Sequence, residues 1–181
     1  MTTFYHCPLP PEPFVGRQRE LNHIVRELPS TPVTLLAGVG GIGKTALALA
    51  AAARAAEELD RIPIFVPCQS GWAAGAFLRA IHAELSRLGE ESFGPFLSDP
   101  ALSLADRATH LAGLLDRGGF LLVADDGGAV EPRDFRTLVG VLLDRLQRGR
   151  VIVTSRRRLK LRSDSGRSPL ANLYAGFHPA Y

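Results

Sequence analysis

Residues Gly38-Val39-Gly40-Gly41-Ile42-Gly43-Lys44-Thr45 fit the Walker A pattern G-x-x-x-x-G-K-[ST] and constrain this chain more than any other segment. An apolar run, Val33-Thr34-Leu35-Leu36-Ala37, precedes them, and an alanine-rich stretch of high helix propensity follows from Thr45 to Leu59. A strand that feeds a glycine loop, which in turn opens a helix, is the setting in which this pattern builds a phosphate cradle. Glycines let successive backbone N–H groups turn inward with no Cβ in the way. The helix N-terminus adds partial positive charge. In that setting Lys44 neutralises β- and γ-phosphates and the Thr45 hydroxyl holds Mg²⁺. The bland alternative is a glycine-rich turn with an incidental lysine. Composition speaks against it: the chain has two lysines, Lys44 and Lys160, beside nineteen arginines, and one of the two falls where the motif requires it.

The rest of the chain alternates strands with helices. Apolar runs at 62–66, 120–124 and 150–154 read as further strands, with Pro63 and Pro67 keeping the second one short. Helical spacing places Leu21, Ile24, Val25 and Leu28 on one face, then Phe77, Leu78, Ile81 and Leu85 on another. A third pattern covers 102–115, and a fourth joins Phe135, Leu138, Val139, Leu142, Leu143 and Leu146. Residues 89–100 read as a loop. The pattern predicts an α/β domain with a mainly parallel sheet. With 181 residues, 46% of them hydrophobic, one domain with a sizeable core is expected. No apolar stretch approaches a membrane span and the N-terminus lacks the pattern of a signal peptide. Cys7 and Cys68 have no metal-binding spacing, nor do the five histidines. Reduced thiols in a cytoplasmic protein are the plain expectation.

Phe120-Leu-Leu-Val-Ala124 ends in Asp125-Asp126, which fits a Walker B motif. An apolar strand thereby delivers two carboxylates to the sheet edge where ligands bind in parallel α/β folds. Asp125 is the candidate Mg²⁺ ligand, together with Thr45. Asp126 is the candidate general base that polarises an attacking water. An ordinary Asp-Asp-Gly-Gly turn is the alternative. The glycine loop about eighty residues upstream favours the metal reading.

Three further segments narrow the family: Phe14-Val15-Gly16-Arg17-Gln18-Arg19-Glu20-Leu21, the doubled aspartate, and Val151-Ile152-Val153-Thr154-Ser155-Arg156. Together they resemble the nucleotide-binding domain of STAND-class P-loop NTPases, the NB-ARC-like branch of AAA+-related ATPases, over roughly residues 12–156. The resemblance implies a three-layer P-loop fold with helices on both faces of the sheet. It implies ATP or ADP and Mg²⁺ as ligands. Phe14, Val15, Gly16 and Arg17 would lie beside the adenine. Gly38, Val39, Gly40, Gly41, Ile42, Gly43, Lys44 and Thr45 would hold the phosphates. Arg156 would sense the γ-phosphate, since a guanidinium offers a planar fork of fixed charge. Alternatively, Arg17 is a solvent-facing charge on a helix and Arg156 one member of a solvated arginine run.

On this reading residues 1–13 form an extended arm, 14–156 the nucleotide-binding domain and 157–181 a basic tail. The helical lid and winged-helix motifs of the family are not visible. The lid and sensor modules would then come from a longer or a separate chain, with self-association a further expectation. The function implied is a slow ATP/ADP switch. The alternatives are an AAA+-type ATPase with genuine turnover, DNA-associated or not, and a truncated, inactive remnant. If active, the chain is an ATP hydrolase. The basic residues after Arg145 are read as a solvated face in preference to a nucleic-acid surface.

Overall fold

The computed structural model describes residues 7–11 and 16–169. The candidate base contacts Phe14 and Val15, most of the N-terminal arm and residues 170–181 lie outside the described residues.

Four strands, β1 (Val33–Ala37), β2 (Ile62–Pro67), β3 (Phe120–Asp125) and β4 (Arg150–Ser155), form one sheet. Its order is β1-β4-β3-β2 and every neighbouring pair is parallel. Strands of a parallel sheet covered on both faces read as continuous apolar runs, which is how all four appear in the sequence. Alternate residues point to opposite layers. Leu121, Val123, Ile152 and Leu36 pack under α1 (Gln18–Glu27) and α2 (Lys44–Glu58). Leu122, Ala124, Val151, Val153 and Leu35 pack under α3 (Ala74–Arg87), α5 (Leu104–Gly118) and α6 (Pro132–Arg145). The fold is therefore a three-layer α/β sandwich of the P-loop type.

Local chemistry fixes the helix ends. Ser103 and Asp106 form a reciprocal capping box at the start of α5, and Gly119, at φ 65°, closes its end. The Glu131 side chain accepts the N–H of Asp134 at the start of α6, where Pro132 occupies the first turn. Two pieces differ from the sequence reading. A short helix, α4 (Gly94–Ser98), lies in the stretch read as a loop, beside the fully buried Phe93. A 3₁₀ turn, Gly127–Ala129, follows the two aspartates. Both are too short for periodicity to register.

Residues beyond β4 lie across α6. Arg158, Lys160 and Arg162 are exposed, whereas Leu161 and Ser163 are buried. The strap passes over Gly140, where a Cβ would meet the Arg162 carbonyl at 3.1 Å.

The register brings the site together. Ala37 is paired with Ser155 and Ala124 with Val153, so the C-terminal ends of β1, β3 and β4 meet at one edge. The connections leaving these ends turn to different faces of the sheet, which opens a crevice there.

Candidate functional site

The glycine loop runs from the end of β1 into α2. It is anchored to β4 at its first residue, where the Gly38 N–H donates to the Ser155 carbonyl at 3.1 Å. Gly41 and Gly43 sit at φ 78° and 89°, a region closed to most side chains. Lys44 is the first residue of α2 and is 7% exposed. Its Nζ donates to the Val39 carbonyl at 2.8 Å, so the ammonium lies across the loop it belongs to. Burial lowers its pKa from the usual lysine value. Asp126 and Asp125 oppose that, while Arg156 and Arg17 reinforce it.

Thr45, in the first turn of α2, meets Asp125 at the end of β3: Thr45 Oγ1 donates to Asp125 Oδ1 at 2.7 Å. The same carboxylate oxygen accepts a hydrogen bond from Thr154 Oγ1 at 2.6 Å. Thr154 Oγ1 in turn accepts the backbone N–H of Asp126 at 2.8 Å. The next residue after the strand, Asp126, takes a left-handed backbone conformation, φ 54° and ψ 42°. That turn aims its carboxylate at Arg156, whose Nε lies 3.1 Å from Asp126 Oδ2. Arg156 is 73% exposed and its pair is open to solvent. Thr45, Lys44, Asp125, Asp126, Thr154 and Arg156 thus belong to one cluster at the loop.

Thr154 escaped the sequence reading as a site residue. A threonine inside Val-Ile-Val-Thr-Ser looks like a strand former. The Asp125 carboxylate and the Asp126 N–H, both brought in by the neighbouring strand, give its hydroxyl a role. Arg17, expected beside a base, has its guanidinium on Glu20 and on the loop. Nε and Nη2 donate to the two Glu20 carboxylate oxygens, both at 2.8 Å, and Nη1 donates to the Ile42 carbonyl at 3.0 Å.

The donor set at Thr45 and Asp125, a hydroxyl and a carboxylate, suits a hard cation such as Mg²⁺. Among the described residues no group of three or more His, Cys, Asp or Glu side chains stands ready to hold a metal. A cation held by one carboxylate and one hydroxyl completes its shell with water and phosphate oxygens, the usual habit of Mg²⁺. Beyond Asp126 and Arg156 opens a cleft of about 620 Å³, lined also by Cys68, Gly71, Glu131 and Arg157. No helix among the described residues is long and apolar enough to cross a membrane.

Comparison with known proteins agrees with the geometry. The AAA ATPase domain family matches residues 13–154. No curated protein matches the chain. Among solved structures, a Walker-type ATPase of Pyrococcus abyssi superposes with a TM-score of 0.56 at 20% identity, over 84% of this chain and 48% of that one. A STAND protein of Pyrococcus horikoshii with a tetratricopeptide repeat sensor gives 0.61 at 24% identity, over 85% and 22%. The ORC2 protein of Aeropyrum pernix, in ADPNP–ADP complexes, gives 0.57 at 19% identity, over 84% and 44%. The chain therefore spans less than half the length of each of these three proteins.

Proposed function

We propose that this chain, which belongs to the AAA ATPase domain family, binds ATP and ADP with Mg²⁺ as the nucleotide-binding domain of a STAND-type, NB-ARC-like switch. In this proposal it hydrolyses ATP slowly. The observation that carries the reading is the double hydrogen bond on Asp125, which ties the P-loop hydroxyl of Thr45 to the strand hydroxyl of Thr154. One carboxylate thereby links the loop that would hold the phosphates to β4, the strand that Arg156 directly follows.

The roles follow from the chemistry of each side chain. Lys44 and the backbone N–H groups of residues 40–45 bind the β- and γ-phosphates. Thr45 and Asp125 hold Mg²⁺, which when bound supplies positive charge to the phosphate oxygens. Asp126 accepts the proton of an attacking water, and Arg156 pairs with the γ-phosphate. In the present arrangement those last two groups pair with each other. Slow turnover is consistent with that pairing, because the base is then engaged by the charge that should stabilise the transferring phosphoryl group. A γ-phosphate competes with Asp126 for the Arg156 guanidinium, and ADP does not. This difference is the physical basis of a switch.

Residues 14–156 constitute the nucleotide-binding domain in this proposal. Adenine as the base is supported by the fold shared with the ORC2 protein, which was solved with adenine nucleotides. The STAND assignment is supported by the fold shared with the Pyrococcus horikoshii protein, and lid or sensor modules would lie on further chain. Two free cysteines support a reducing, cytoplasmic setting.

A second reading, an AAA+-type ATPase with genuine turnover, draws on the family match itself and on Asp126 beside Asp125 at the strand end. Steady-state hydrolysis separates the two. The switch predicts turnover well below about 1 s⁻¹, whereas rates in the ordinary enzyme range favour the second reading.

A further inference from the structure

Arg17 occupies an unusual place. Gly16 and Arg17 are both left-handed, φ 78° and 55°, and the second is a conformation that side chains larger than glycine rarely adopt. Glu20, in the first turn of α1, holds two nitrogens along one edge of the guanidinium in a bidentate fork, and the third nitrogen, Nη1, donates to the Ile42 carbonyl in the P-loop. Both side chains are about three-quarters buried, at 21% and 27% exposed, so solvent screens the pair less than it would on an open surface.

The consequence for the loop follows from peptide geometry. The Ile42 carbonyl and the Gly43 N–H belong to one planar trans unit and point in opposite directions. Holding the carbonyl on Arg17 therefore turns the Gly43 N–H to the opposite side. The guanidinium lies beside Gly43: a Cβ there would stand in ordinary van der Waals contact, 3.7 Å from Arg17 Nη1. Lys44 does the same for the peptide joining Val39 and Gly40, through its bond to the Val39 carbonyl. Two cations thus take two loop carbonyls and leave the partner N–H groups to an anion.

We propose that Arg17 is a positioning residue that sets the phosphate cradle through the Ile42–Gly43 peptide and does not read the base. The inference rests on the nucleotide-binding function proposed above. It places the first helix and the P-loop in one electrostatic unit, with Glu20 orienting the arginine that orients the loop.

The test is calorimetric titration of wild type, Arg17→Ala, Arg17→Lys and Glu20→Gln with ATP, GTP and inorganic tripolyphosphate, each with Mg²⁺. Arg17→Ala should weaken all three by about tenfold, the loss of one charged hydrogen bond, and leave the ATP-to-GTP ratio unchanged. Arg17→Lys should recover part of the loss, and Glu20→Gln should show a smaller loss of the same base-blind kind. The Gly43 amide resonance, which should move on adding tripolyphosphate to wild type, should move less in Arg17→Ala. A loss confined to ATP, with tripolyphosphate affinity and the Gly43 response intact, overturns the proposal. Should Arg17→Ala fail to fold, Glu20→Gln carries the same comparison with the same two outcomes. A wild-type protein that binds none of the three ligands would instead refute the nucleotide-binding function itself.

Discussion

Thr154 Oγ1 donates to Asp125 Oδ1 at 2.6 Å while accepting the N–H of Asp126 at 2.8 Å. A single hydroxyl therefore fixes the rotamer of one aspartate and the backbone turn of the next. Thr154 is 1% exposed, so water is excluded from both bonds. Thr154→Val keeps the shape and removes the donor and acceptor. It should cost about 1–3 kcal/mol in urea unfolding through the unpaired Asp126 N–H, and should lower hydrolysis more than ATP affinity. Thr154→Ser should restore most of both. A valine variant with wild-type stability and turnover would contradict the role given to this hydroxyl.

Asp125→Asn keeps an oxygen for Thr45 and Thr154 but loses the charge that suits a divalent cation. Nucleotide affinity measured without Mg²⁺ should change little. The gain in affinity on adding Mg²⁺ should shrink, and Mg²⁺-dependent hydrolysis should disappear. Retained hydrolysis in this variant counts against the metal role.

Arg156→Ala frees Asp126 from its ion pair and removes the candidate γ-phosphate contact. The ratio of ATP to ADP affinity should fall by about tenfold or more, the scale of one charge-assisted hydrogen bond. Competition titrations read this ratio directly, and an unaltered ratio would exclude Arg156 as the sensor.

Stability away from the site has its own test. The Asp116 carboxylate, near the end of α5, accepts the N–H groups of Gln147, Arg148 and Gly149 in the turn before β4. Asp116→Ala should destabilise the fold by about 2 kcal/mol, and nucleotide affinity should be unchanged because this turn lies at the opposite end of β4 from Arg156. A large loss of affinity at full stability would mean that the two ends of the sheet are coupled.

Burial raises the Cys7 thiol from 9.0 to about 12. Between those values the unfolded chain has released a proton that the native chain retains, so the unfolded state gains as pH rises. The thiol's contribution to stability is full below pH 9 and is lost on the way to pH 12. Cys7→Ala should therefore show a shallower fall in unfolding free energy over that window. Parallel pH profiles for the two proteins would contradict the assignment.

The sheet was readable from the chain because parallel strands buried on both faces are unbroken apolar runs, as in Phe120-Leu-Leu-Val-Ala. The glycine loop and the aspartate pair were readable because their chemistry is local. Other parts depend on contacts that no local pattern encodes. The five residues of α4 are too few for a helical period, and their placement beside Phe93 is tertiary. The seat of the basic segment on α6 depends on Gly140, which by itself resembles a weak point in a helix. Thr154 becomes a site residue only when Asp125 lies next to it across the sheet. The Arg17–Glu20 fork has an ordinary i,i+3 spacing, but its third contact, to Ile42, crosses twenty-five residues of chain.

The central claim is that the loop from Gly38 to Thr45 binds adenine nucleotide through Lys44. Calorimetric titration of ATP with Mg²⁺ into wild type and Lys44→Ala, with far-UV circular dichroism to confirm that both are folded, tests it most directly. Saturable binding to wild type that is abolished in a folded Lys44→Ala protein is the predicted result. Equal binding to both would contradict it.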